Sequence, residues 1–580
     1  MKRMLLVSLL ALIALSACAG PASETEVLPT ATKPLKSTNT PPPTATPFVT
    51  ATPMSEALTG YPGLPLPVEQ DELFSTSGVC QTCHANIKDE TGADISLDAY
   101  WRSTMMANAA RDPYWQASVQ AEVLTNPQHA SVIEEKCATC HMPMASLTLE
   151  SQDAEALVLG SDGLLSGDHD LHAFALDGVS CAVCHQIRET GLGTAASYSG
   201  GFIIDTELRA PDRIIFGPYT IGEGQARIMQ SGSGYRPEQG LHITQSELCA
   251  TCHTLYTPTV DATGAFVGEF PEQVPYFEWF YSDYRRTNSC QDCHMPEAQG
   301  GAKIANTSRV LRSPFLLHNF VGGNVYMLEM MKTFSEEIGM TASSDQLQAT
   351  IDRTLDQLQN RTATISLEDV RRAGSRIYAD VVVENLAGHK FPTGFPARRA
   401  WIRFVVTDGS GQVVFESGAH NPDGSIVDND NDDDPGMVEQ HYLAVVQPSQ
   451  VQIYEAILQD TERKVTTTLL EAAAYRKDNR LLPSGFEKSA PYEDIAVRGE
   501  AREDVNFVGG GDKVEYIASI GDAAAPFTVQ VELLYQSISF RWAENLSAIE
   551  DPNIASFGTF YDNVPNLPIV IASDTVEIGN

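Results

Sequence analysis

The chain is expected to be a multidomain protein: a mainly α-helical or irregular part, then an all-β, sandwich-like domain. Three observations predict this. Five Cys-x-x-Cys-His motifs lie between Cys80 and His294, and none lies beyond. Leu347, Ile351, Leu355 and Leu358 recur at helical spacing. From about Ser375 the apolar period becomes two, as in Val529, Val531 and Leu533 between Gln530 and Glu532.

The first eighteen residues read as an export signal. Met1-Lys2-Arg3 is basic, Met4 to Leu15 is apolar, and small residues precede Cys18. The apolar run is too short for a good membrane span. The Leu15-Ser16-Ala17-Cys18 end resembles a bacterial lipobox, which implies that Cys18 becomes lipidated and holds the chain to the cell envelope. Residues 19–67 are rich in Pro, Thr, Ala and Ser, a composition that favours extended chain over a packed core. They are expected to tether the folded body to the lipid.

Residues 68–322 are expected to form the motif-bearing domain. The motifs are Cys80-x-x-Cys83-His84, Cys137-x-x-Cys140-His141, Cys181-x-x-Cys184-His185, Cys249-x-x-Cys252-His253 and Cys290-x-x-Cys293-His294. In this pattern two thiols bond the haem vinyl groups and the adjacent imidazole becomes the proximal iron ligand. The motifs take ten of the 11 cysteines, and Cys18 is the other. Zinc ribbons also use paired cysteines, but they rarely add His to every pair. Five covalently bound haem c groups are therefore expected. A helix is predicted from Leu97 to about Glu122, broken or kinked at Pro113.

Residues 323–374 are predicted to form a helical connector, with Ser344 or Asp345 capping the periodic helix. Residues 375–580 are predicted to form the β domain. Trp401–Thr407 and Gln412–Glu416 flank Asp408-Gly409-Ser410-Gly411 and read as a hairpin. Further strands are expected near residues 377–384, 451–458, 465–471 and 514–520, consistent with a sandwich.

The distal iron ligands are the open question. Subtracting the five proximal imidazoles from 13 His leaves His129, His169, His172, His242, His318, His389, His420 and His441. His129, His172 and His242 lie shortly before motifs, with His169 an alternative to His172. His318 sits in the apolar segment Phe315–Gly323, and His389 in Gly388-His389-Lys390-Phe391-Pro392-Thr393-Gly394. Ligation by His389 would bolt the β domain to the motif domain through iron. His420 and His441 flank an acidic loop. That loop, Asp423 to Asp434, alternates Asp and Asn oxygens in a manner suited to Ca²⁺, though without a full EF-hand pattern.

The motifs with their interspersed histidines resemble the cytochrome c554-like multihaem family. The resemblance implies closely packed c haems that carry electrons. The Gly388–Gly394 segment resembles the opening of the C-terminal β domain in a group of bacterial multihaem cytochromes. One departure stands out: Tyr100-Trp101-Arg102-Ser103-Thr104-Met105-Met106 places Met105 where the family pattern has a distal histidine. Met105 is thus a candidate distal ligand, and methionine ligation raises the potential relative to two histidines.

The function expected is electron transfer between redox partner proteins outside the cytoplasm. The alternative is a multihaem oxidoreductase acting on a small nitrogen or sulfur compound at a haem with an open distal site. Multihaem nitrite reductases typically replace one motif His by Lys, whereas all five motifs here keep His. The net charge of −37 argues against nucleic acid as a partner, because phosphate repels such a surface.

Overall fold

The computed structural model describes residues 60–489 and 492–579. The signal segment, Cys18 and the tether up to residue 59 lie outside the described residues. The end of the predicted tether is part of the folded body. Tyr61 Oη donates to the Met340 carbonyl at 2.8 Å, and Leu66 is buried. Within the described residues, no helix is long and apolar enough to cross a membrane.

Short helices and turns dominate up to residue 361, and strands dominate from residue 363. The predicted helix from Leu97 to Glu122 is two helices, Leu97–Tyr100 and Pro113–Thr125, separated by turns. Pro113 starts the second helix instead of kinking it. Its missing N–H falls where no intrahelical partner exists, and its φ suits the first turn. Asp112 caps this helix, accepting from the Tyr114 and Trp115 amides at 2.9 and 3.3 Å.

The motif region also carries β structure that alternation did not reveal. Arg213–Gly217 pairs in parallel with Tyr235–Gln239, and Leu255–Val260 forms a hairpin with Phe266–Gln273. The connector holds the helices Val325–Thr333, Ser335–Ile338 and Ser344–Arg361. The last is closed by a capping box between Ser343 and Gln346, one residue before the predicted cap.

The β region has a seven-stranded and a four-stranded sheet among the described residues. Arg399–Thr407 lies at the centre of the larger sheet, antiparallel to Phe527–Gln536 on one side and to Ile453–Gln459 on the other. In the smaller sheet Arg376–Asn385 lies between Gly511–Ser519 and Ala363–Ala373. The β region therefore begins at Ala363, not near residue 375. The hairpin turn after Thr407 is held by Asp408 Oδ1, which accepts from the Ser410 and Gln412 amides.

The inward faces of both sheets and the face of Ser344–Arg361 bearing Leu347, Ile351 and Leu358 share one apolar core. Beneath the larger sheet Trp401 is fully buried, and its indole N–H donates to the Gly418 carbonyl at 2.9 Å. Truncation of Trp401 to Ala is expected to destabilise the chain by about 3–5 kcal/mol in urea unfolding, through lost burial and a residual cavity. A loss below about 1 kcal/mol would show that the sheet closes over the gap.

Candidate haem-binding site

Each motif sits on a short helix or turn with its cysteines partly accessible. Ser77–His84, Ala130–His141, Cys181–Cys184, Ser246–Ala250 and Cys290–His294 present them. The last is closed by a capping box between Ser289 and Asp292.

The motifs are gathered into one group. The Cys80 and Cys181 thiols are near neighbours, as are Cys140 with Cys252 and Cys249 with Cys290, and Cys184 lies within electrostatic reach of Cys252, which joins the two sets. The first and third motifs are tied by buried Asp177, which accepts from the Ser77 amide and hydroxyl and from the Ser180 hydroxyl. Burial raises the Asp177 carboxyl to about 6 against the opposing pull of those bonds and of Arg111. The fourth and fifth motifs are tied by Ser246 Oγ, which accepts from the Cys290 amide at 3.0 Å. Gln291 Nε2 adds a bond to the Gln245 carbonyl at 2.8 Å. Gly200 lies between the second and fourth motifs; its amide donates to the Thr251 carbonyl at 2.7 Å. A Cβ there would lie 2.2 Å from Thr139 Cγ2.

Four of the five motif histidines donate Nδ1–H to a backbone carbonyl. His84 bonds Ile304 at 2.6 Å, His141 bonds Ala109 at 3.0 Å, His185 bonds Phe216 at 2.7 Å and His294 bonds Val321 at 2.6 Å. A carbonyl only accepts, so the proton is on Nδ1 and the Nε2 lone pair is left for a metal. Burial lowers His141 and His253 to about 4, and it lowers His84, His185 and His294 as well. These rings stay neutral, the form that ligates. The Trp115 indole stacks on His141 at 4.5 Å with planes 6° apart, which further restrains that ring.

Two remaining histidines face proximal rings. His185 and His318 have ring centres 6.3 Å apart and planes 22° apart. His294 and His389 have centres 6.3 Å apart and planes 19° apart. Two imidazoles bound on opposite sides of one metal at about 2 Å each have ring centres roughly 6 Å apart. His389 Nδ1–H donates to the Lys390 carbonyl at 2.9 Å, again leaving Nε2. Burial, then His185, lowers His318 to about 4.

The other candidates are placed differently. His172 Nδ1–H donates to the Leu164 carbonyl at 3.1 Å, which leaves Nε2. His129 and His242 use Nε2–H on the Gly264 and Ile187 carbonyls, both at 2.8 Å, which leaves Nδ1. His169 Nδ1 accepts from the Leu171 amide at 3.0 Å. Met105 is half-buried against the apolar core. No ring pair like the two above occurs at His84, His141 or His253 among the described residues.

His441 lies apart from the motifs. With Asp504 and Asp512 it forms the kind of cluster that can hold a metal. Its hydrogen bonds point elsewhere. His441 Nδ1 accepts from Gln452 Nε2 at 2.9 Å and Asn479 Nδ2 at 3.0 Å. Both amides are oriented by backbone N–H groups that donate to their oxygens. The proton therefore sits on Nε2 and is directed at Asp504, 3.1 Å away. His420 is near the surface, its Nδ1 3.4 Å from the Asn421 carbonyl.

The acidic loop does not converge on one point. Asp432 is held by Arg399 Nη1 at 2.8 and 2.9 Å and accepts from the Ile426 amide. Asp423 accepts from Ser425, and Asp434 from the Gly436 amide. Among the described residues these carboxylates form no group of three or more with their oxygens close together.

The thiols, the free Nε2 lone pairs and the facing ring pairs fit covalently held haem. No family model and no curated protein matches the chain. Among solved structures it is similar to a penta-heme cytochrome c552 from Thermochromatium tepidum. The identity is 16%, the TM-score is 0.48, and the match covers 88% of this chain and 100% of that one.

Proposed function

We propose that the chain is an extracytoplasmic, lipid-anchored pentahaem c-type cytochrome that passes electrons between redox partner proteins. One observation carries this reading: five Cys-x-x-Cys-His motifs form one group whose thiols are near neighbours across motifs. Haem iron, when bound, takes up and releases one electron at a time. The chain's own residues hold the attachment points side by side, keep the ligating imidazoles neutral and fix their tautomer. His318 and His389 would hold haem iron from the side opposite His185 and His294. The net charge of −37 favours a partner with a basic docking face.

Chain exported from a host with haem-attachment machinery is expected to contain five haems, measured as pyridine haemochrome against protein by amino-acid analysis. Fewer than five in fully matured protein would overturn the reading.

A second reading is a multihaem oxidoreductase acting on a small nitrogen or sulfur compound. It is favoured by Met105, which packs on the core. A high-spin component in the oxidised spectrum that shifts with nitrite or hydroxylamine would support it. A wholly low-spin spectrum indifferent to both would exclude it.

A further inference from the structure

A buried group of four charges lies beside His389. Glu278 comes from the helix Pro275–Phe280 in the motif region. Lys390 follows His389 directly. Asp478 ends the strand Ala474–Asp478, and Arg480 lies two residues on. All four side chains are buried. Lys390 Nζ is 2.7 Å from Asp478 Oδ2, and Arg480 Nε and Nη2 are each 2.8 Å from the same carboxylate. Arg480 Nη1 is 3.0 Å from Glu278 Oε1. Two acids and two bases make a set with no net charge. Glu278 Oε2 also accepts from the Lys390 amide at 3.2 Å and from the Thr393 hydroxyl. One carboxylate of the motif region thus grips the His389 loop on both sides of Phe391-Pro392.

Other contacts close the same loop. Asn385 Nδ2 donates to the His389 carbonyl at 2.9 Å and to the Leu481 carbonyl at 3.0 Å. Tyr284 Oη donates to the Leu386 carbonyl at 2.7 Å. Tyr284 and Trp279 press on Gly388, where an added Cβ would lie 3.2 and 3.4 Å from them. An apolar cluster of equal volume is often as stable as buried ion pairs. What the charges add is direction: the hydrogen bonds to Asp478 and to Glu278 Oε2 favour one placement of the loop, while Arg480 and Glu278 Oε1 form an ion pair without hydrogen-bond geometry.

We propose that Glu278, Lys390, Asp478 and Arg480 are positioning residues that hold His389 opposite His294, so that the sixth ligand of this haem is set by docking of the β region. This rests on His294 and His389 being the two axial ligands of one haem. His389 and Lys390 belong to the β region, whereas Glu278 belongs to the motif region. Ligation and docking are then one event. Removing the Glu278 carboxylate leaves Lys390 and Arg480 with only Asp478 and frees the loop on the motif side.

The test uses the full, haem-loaded chain and carbon monoxide as the probe. His389→Ala is expected to bind one more carbon monoxide per chain than the parent after reduction, with added imidazole restoring the low-spin signal in the oxidised protein. Glu278→Ala is expected to gain most of one equivalent. Thr393→Val, a milder change, is expected to shift the electron paramagnetic resonance g-values of one haem and leave the others in place. A purely structural role would lower the unfolding midpoint of Glu278→Ala and Thr393→Val but leave carbon monoxide uptake and g-values unchanged. That result would overturn the proposal while His389→Ala still behaves as expected. If His389→Ala itself gains no carbon monoxide, the axial reading has failed and the proposal falls with it. If Glu278→Ala does not fold, the g-values of Thr393→Val decide the matter.

Discussion

Substitution of His318 by Ala is expected to convert one haem of the loaded chain from low spin to a form that binds carbon monoxide. His318 is the ring that faces His185 at 6.3 Å, nearly parallel to it. Burial, then His185, holds it neutral, and Phe320 packs edge-on against it at 5.6 Å. It is therefore presented as a fixed, unprotonated donor. Ala at this position offers no donor atom, so an iron held by His185 would keep a single axial imidazole. The reduced variant is expected to take up one more carbon monoxide than the parent, read as a change in the Soret difference spectrum. Far-ultraviolet circular dichroism is expected to stay unchanged, because the proximal attachment and the surrounding core remain. Unchanged carbon monoxide uptake in a folded variant would mean that His318 is a satisfied core histidine. Methionine at the same site would restore a weaker ligand and is expected to raise the potential of that haem relative to the parent.

The second large effect concerns pH. Glu122, in the helix Pro113–Thr125, is buried and accepts from the Leu469 amide at 2.5 Å and the Leu470 amide at 3.2 Å. It ties the motif region to the β region. Burial pushes its carboxyl up to about 7 from an ordinary 4.5, with Glu272 and Glu471 adding to the rise and the two amides opposing it. The folded value lies above the unfolded one. The stability that this implies is complete below about pH 4.5 and is lost as pH rises through about 7. At 1.36 kcal/mol per unit, the loss across this window is on the order of 3 kcal/mol. Glu122→Gln cannot ionise, so its stability is expected to fall less between pH 5 and 8.5. It also gives up one of the two amide bonds, so its absolute stability is expected to be lower at acid pH. The informative quantity is the difference in slope, from urea unfolding at several pH values. Parallel curves for parent and variant would rule out Glu122 as the titrating group.

Much of the fold is legible where the deciding physics is local. The β strand Phe527–Gln536 alternates over Phe527–Leu533 because one face meets the core, Arg399–Thr407 is buried along nearly its whole length, and Asp408-Gly409-Ser410-Gly411 is a turn by its own bonding. The strands Ala363–Ala373 and Ile569–Ile578 were less visible. Most of their outer residues are exposed or half-buried, so the apolar alternation is diluted by charges. Pro113 shows how one residue can fit two readings. Pro disrupts a helix interior and starts a helix equally well, and the Asp112 cap selects the second.

The candidate site divides the same way. The motif cysteines and proximal histidines can be read directly, because two thiols and an imidazole on adjacent turns are a complete local signature. The distal side has no such signature. His185 and His318 are far apart in the chain, and so are His294 and His389. A histidine near a motif in sequence, such as His129 or His242, turns out to use Nε2 on a backbone carbonyl. Glu278 carried no sequence signal at all, since its partners Lys390 and Arg480 lie in another region.

The sequence by itself determined the chemistry available: ten thiols and five imidazoles in haem-attachment spacing, and a change from helical to alternating period. These are short-range patterns, set by covalent geometry and by the repeat of each backbone conformation. Only the tertiary structure decided which histidines face which, which ring nitrogen is free, and which charges clamp the His389 loop. Those outcomes depend on burial and on contacts between distant segments. A buried group takes whichever partner the whole chain brings to it, and no local pattern records that choice.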